Sequence, residues 1–122
     1  MSNHPITHVE FSAKDRKASQ KFYGEVFGWT FKVYDDLHYT TFETGNGAGG
    51  GFSEVSESYP AGTVLVYIET DNVTATLAKV VAAGGTVLAT ETEVPGTGKF
   101  GLFKDPAGNM VGVFNWFTPP AG

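Results

Sequence analysis

The chain has 122 residues, a formal charge of −5, 41% hydrophobic and 17% charged residues, and no cysteine. That is enough for one compact domain with its own core, and too apolar for a disordered segment. Disulfides, thiolate catalysis and cysteine-type zinc sites are excluded; with no basic stripe and no run near the ~18 apolar residues of a membrane span, neither nucleic acid nor a membrane is expected as a partner, and a cytoplasmic location is the default.

Ile6 to Ser12 alternates as a strand. Asp15 can cap a helix carrying Ala18, Phe22, Val26 and Phe27, which stops at Gly28. Phe22, Tyr23, Phe27 and Trp29 are read as core. Trp29 to Tyr34 is a strand, Asp35-Asp36 a turn and His38 to Thr44 a third strand. A glycine cluster, 45–51, leads through Phe52 into a short fourth strand, and 53–62 is a polar linker. The pattern then restarts. Thr63 to Thr70 is a strand, Asp71-Asn72 a cap, and 73–83 a helix ending at Gly84-Gly85. Thr86 to Thr90, Phe100 to Lys104 and Met110 to Phe117 are strands. A loop at 93–99 and an Asp105-Pro106-Ala107-Gly108-Asn109 turn connect them. His4 and the Pro119–Gly122 tail fall in frayed ends.

The halves can be laid on each other with one four-residue insertion. A shift of 57 lays Val9 on Val66, Phe11 on Ile68, Gly28 on Gly85 and Phe31 on Leu88; after a four-residue insertion, a shift of 61 lays Phe42 on Phe103 and Gly51 on Gly112. The expected fold is α+β: two tandem βαβββ units, near 6–58 and 63–117, in one domain spanning 1–122.

Three stretches carry a resemblance to a known family: 6–11 (Ile-Thr-His-Val-Glu-Phe), Phe22-Tyr23-Gly24-Glu25-Val26-Phe27-Gly28-Trp29, and Tyr67-Ile68-Glu69-Thr70-Asp71-Asn72 followed by the 105–109 turn. Together they resemble the glyoxalase / bleomycin-resistance / extradiol-dioxygenase (vicinal oxygen chelate) superfamily, and its small glyoxalase-like subgroup in particular. The resemblance implies a curved mixed sheet around a shared cavity, with helices outside. Strand alternation then turns Val9 and Phe11 toward a helix. His8, Glu10, Leu65, Tyr67, Glu69, Met110, Gly112, Phe114 and Trp116 face the cavity.

Metal-using members take ligands from the first and last strands of each unit. Here those positions are His8, Gly51, Leu65 and Gly112, so one donor of four remains and no metal or other cofactor is expected. The candidate ligand-binding residues are His8, Glu10, Gly51, Leu65, Tyr67, Gly112, Phe114 and Trp116, with no catalytic residue assigned. His8 can equally be a structural histidine bonded to a neighbouring polar group, and Phe114 and Trp116 can equally fill the interior themselves. The leading expectation is a metal-independent protein that binds a small, partly apolar molecule. The alternatives are a metal-dependent lyase, isomerase or dioxygenase with an unusual ligand set, and a metal-free enzyme using His8 or Glu10 as acid or base. The resemblance also implies a homodimer.

Overall fold

The structure is a computed structural model that describes residues 4–117; the expected fraying of 119–122 lies outside them. It divides into two compact units, one of residues 7–66 and one in which 67–117 joins the residues before Thr7.

In the first unit, β1 (Ile6–Ala13) leads to α1 (Arg16–Phe27). Asp15 holds an extended backbone and its side chain accepts from the amides of Lys17 and Ala18, satisfying two donors that the helix leaves orphaned. Gly28 closes the helix at φ 72°, a conformation that glycine adopts without penalty. There follow β2 (Thr30–Tyr34), a 3₁₀ turn at Asp35–Leu37, β3 (Tyr39–Glu43) and β4 (Gly49–Glu54). The sheet order is β2-β3-β4-β1; β4 runs parallel to β1, and the other two pairings are antiparallel. Phe42, Phe52 and Ala13 are buried on one face, with Phe11, Tyr23, Trp29 and Phe31 packed on them. Phe52 is 0% exposed, and full burial of such a ring stabilises by about 1.5–3 kcal/mol.

Three sequence expectations change here. Phe22 and Phe27 are not core: they are 54% and 60% exposed. Tyr23 takes the face that meets the sheet, stacking on Trp29 at 4.8 Å, and Phe22, one residue earlier, is rotated ~100° around the helix from it. The third strand starts at Tyr39, because His38 ends the 3₁₀ turn in a left-handed conformation, φ 51°. Glycines 49–51 are not a lead-in but half of β4 itself.

In the second unit, β5 (Val64–Glu69, begun in the first unit) precedes α2 (Val73–Ala82), capped by Asn72 Oδ1 on the Ala75 amide at 2.9 Å. Then come β6 (Thr86–Val94), β7 (Gly98–Lys104) and β8 (Met110–Trp116), in the order β5-β8-β7-β6. Val73, Leu77 and Val113 form the core, with Ile68, Val87 and Phe103 against it. The expected loop at 93–99 is mostly strand: β6 continues to Val94 and pairs through Thr92↔Phe100, Glu93↔Lys99 and Val94↔Gly98. Its Thr-Glu-Thr-Glu run carries no apolar alternation, since much of it is exposed at a sheet edge. His4 is held as well, its Nδ1 2.9 Å from the Glu69 carbonyl, while Pro5 accepts from the Glu69 amide.

Strand register supports the repeat independently. Glu10↔Gly51 and Phe11↔Phe52 pair in the first unit; Tyr67↔Gly112 and Ile68↔Val113 pair in the second, the positions reached by shifts of 57 and 61. The repeat slips by one residue at Leu88, where a bulge pairs Phe103 with Val87 instead. Among the described residues, no helix is long and apolar enough to cross a membrane.

Candidate functional site

Phe11 and Phe52 point at α1, so period-2 alternation sends His8, Glu10, Gly51 and Ser53 to the opposite face of the first unit's sheet. β3 delivers Tyr39 to that face, with Tyr39 opposite Ser53 and Thr41 opposite Gly51. The Tyr39 hydroxyl bridges two side chains of β1: it donates to Glu10 Oε2 at 2.9 Å and lies 2.8 Å from His8 Nε2. A phenol has one proton. While Glu10 is ionised and takes it, His8 meets the phenol oxygen as an Nε2–H donor.

Burial sets the charge state of this chain. The His8 imidazole is pushed down to about 4, so it is neutral at pH 7. Burial pushes the Glu10 carboxyl up, against the hydrogen bond from Tyr39, which favours the carboxylate. Ser53 also favours it, although its buried hydroxyl completes no hydrogen bond of full geometry. Tyr59, on the loop after β4, has its phenol pushed up by burial and by the Glu10 charge. An imidazole, a phenol and a carboxyl in series are components for moving a proton or for reading a polar ligand group.

Gly51 lets Tyr39 reach its partners. A Cβ at Gly51 would fall 2.2 Å from the Tyr39 ring and hydroxyl, so the phenol lies flat over bare backbone. The second unit repeats the device. A Cβ at Gly112 would fall 2.3 Å from the Tyr67 ring. Tyr67 meets Phe114 edge-on at 6.0 Å, and Phe114 packs on Trp116 at 4.2 Å. Phe114 is 8% exposed and Trp116 half-buried, so Trp116 carries most of the accessible ring surface of this patch. Leu65 is 1% exposed and packs as a core residue.

The residues do not fit a divalent metal. Such an ion needs several converging His or carboxylate donors, and among the described residues no group of three or more could hold one. Tyrosine rings fill the space in which side chains at positions 51 and 112 would stand. His38 pairs with Glu54 at 3.4 Å on the exposed surface.

Sequence reading missed Tyr39, although the signal was present. Counting back from Phe42 on the helix face puts Tyr39 on the His8 face, opposite a strand of glycines.

The family model described as the Glyoxalase/Bleomycin resistance protein/Dioxygenase superfamily matches residues 5–113. The anthracycline biosynthesis protein DnrV of Streptomyces peucetius is 32% identical over 86% of this chain and 44% of its own length. The putative glyoxylase CFP32 of Mycobacterium tuberculosis is also 32% identical, over 75% of this chain and 36% of its own length. The chain therefore spans less than half the length of these curated relatives. Among solved structures, the hypothetical protein BH1468 of Bacillus halodurans aligns with a TM-score of 0.76 over 99% of this chain and 100% of its own, at 10% identity. Methylmalonyl-CoA epimerase of Mycobacterium tuberculosis aligns at 0.71 over 93% and 88%, at 12% identity. These likenesses carry the fold, while the family match spans nearly all of the sequence: the chain belongs to the Glyoxalase/Bleomycin resistance protein/Dioxygenase superfamily.

Proposed function

We propose that this protein binds a small, partly apolar molecule without a metal, using the sheet faces turned away from the helices. One observation carries the reading. At both last-strand positions, Gly51 and Gly112, a tyrosine ring lies where a ligating side chain would stand. Those faces therefore offer aromatic surface and hydrogen-bonding groups in place of metal donors, the mix that small-molecule sites use. His8, Glu10, Tyr39 and Gly51 form the polar contact set in the first unit. Tyr67, Gly112, Phe114 and Trp116 form the aromatic set in the second, while Leu65, 1% exposed, is left to packing. The glyoxylase and biosynthesis relatives support a small-molecule role over a macromolecular one.

A second reading has its own support. The Tyr39 bridge between a neutral imidazole and a carboxyl of raised pKa is suited to metal-free acid–base chemistry.

Titration of 2-naphthol against the metal-stripped protein, followed by amide NMR, tests the binding reading. Shifts at Phe114 and Trp116 are expected, weakened by Trp116→Ala and unchanged by added EDTA. Binding that requires added zinc, nickel or manganese overturns it. Catalysed solvent-hydrogen exchange into a bound ketone, lost in both Glu10→Gln and Tyr39→Phe, would favour the second reading.

A further inference from the structure

A cleft of about 960 Å³ opens on the other side of the first unit, between α1 and strands β2 and β3. It lies on the helix side of the sheet, away from His8 and Glu10, and its size suits a drug-sized molecule. Trp29, Phe31 and Val33 give it an apolar wall, and Gly24 of α1 keeps it open opposite Phe31, whose ring would lie 3.3 Å from an added Cβ.

The charges around this cleft are unlike those of the chain as a whole. Residues 14–21, Lys-Asp-Arg-Lys-Ala-Ser-Gln-Lys, carry four cations and one carboxylate in a protein of net charge −5. Most carboxylates of the lining are already engaged. Asp15 caps the helix, Glu25 pairs with Lys21 at 3.4 Å and Glu54 with His38 at 3.4 Å. Arg16, the sequence's only arginine, is half-buried and reaches across to Thr40 Oγ1 at 3.5 Å; among the described residues it makes no ion pair. Because Asp15 has taken the first helix amides, the anion-attracting group is the guanidinium rather than the helix end.

We propose that this cleft is a second binding site, for a small aromatic carboxylate whose anionic group pairs with Arg16 and whose ring lies against Trp29 and Phe31. A planar guanidinium at one end of an apolar wall matches that chemistry: a bidentate carboxylate supplies the missing counter-charge and the ring supplies the buried area. The site is independent of the one proposed above, on a different face and with different residues.

The test compares 2-naphthoate with its uncharged analogue 2-naphthamide by amide NMR and calorimetry. The acid should shift resonances along 14–21 and 29–33 and bind at least about tenfold more tightly than the amide, the difference one charge-assisted pair makes. Arg16→Gln should remove that preference and leave amide binding unchanged, and Arg16→Lys should restore part of it. Tyr39→Phe and Trp116→Ala, which test the other site, should leave naphthoate binding at 14–21 unaltered. Equal affinity for acid and amide, an unaltered preference in a folded Arg16→Gln variant, or shifts confined to the His8 or Trp116 faces would each overturn the proposal.

Discussion

At Gly51 a missing side chain does as much as a present one. Adding one methyl there puts a carbon 2.2 Å from the Tyr39 ring, and overpacking of this kind costs about 1–3 kcal/mol. Gly51→Ala should therefore lower the unfolding free energy by that amount, read as a lower urea midpoint. Adding Tyr39→Ala should recover part of the loss in a double-mutant cycle, whereas Tyr39→Phe should not, because the ring remains. Acidity acts on the two residues bridged by Tyr39 in opposite senses. His8 has a folded value depressed from 6.5 to about 4, so its contribution, about 3 kcal/mol at most, is present above pH 6.5 and lost as pH falls toward 4. Glu10 is raised above 4.5, so its contribution is full below 4.5 and lost as pH rises through the folded value. Unfolding measured from pH 7 to 4 should show falling stability in the wild type and a flatter profile in His8→Gln. Glu10→Gln should fall more steeply, because the opposing contribution has gone. A Glu10→Gln profile that matches the wild type would remove Glu10 from this account.

The elements differ in how openly the sequence announces them. Asp15, Gly28, Asn72 and Gly84 mark helix ends by chemistry local to each residue; the structure places caps at the first three, while the second helix is capped by Ala83 and Gly84 follows it at φ 101°. Asp15→Ala should cost about 1 kcal/mol and Asn72→Ala a similar amount, read as lower thermal midpoints with unchanged circular dichroism at low temperature. The 105–109 turn was equally plain: Asp105 accepts from the Ala107 and Asn109 amides and from the Asn109 side chain. The far end of β6 was hidden because its residues are polar and pair through backbone, which leaves no side-chain pattern to read. The same limit applied to the candidate site. His8 and Glu10 could be placed on one face from alternation alone, but their link through Tyr39 spans 31 and 29 residues and depends on strand register. The exposure of Phe22 and Phe27 was hidden for a related reason: a helical stripe shows which residues share a side, not which of them meets the sheet.

For the molecule as a whole, the repeat was the firmest inference, and strand pairing bears it out through equivalent registers in the two units. Assembly stays a proposal. In the sheets of the two units, β2 and β6 lie at edges, with Lys32, Glu91 and Glu93 among their residues, charges that discourage open-ended strand addition without preventing a closed pair. We expect a homodimer in solution. Sedimentation equilibrium at micromolar concentration should return about twice the 13.0 kDa chain mass, and a monomer mass throughout would rule the dimer out.

The tyrosine over Gly51 also constrains the routes by which the sequence can change. A single substitution that placed a carboxylate at position 51 would meet the Tyr39 ring before it could meet any ion. Such a substitution would therefore destabilise the fold while supplying no coordination. Tyr39 would have to shrink beforehand, giving up its bonds to His8 and Glu10. The second unit has the same lock at Tyr67 and Gly112. Each glycine–tyrosine pair is therefore coupled in its order of change: the glycine accepts a side chain only after the tyrosine over it has been replaced by something smaller.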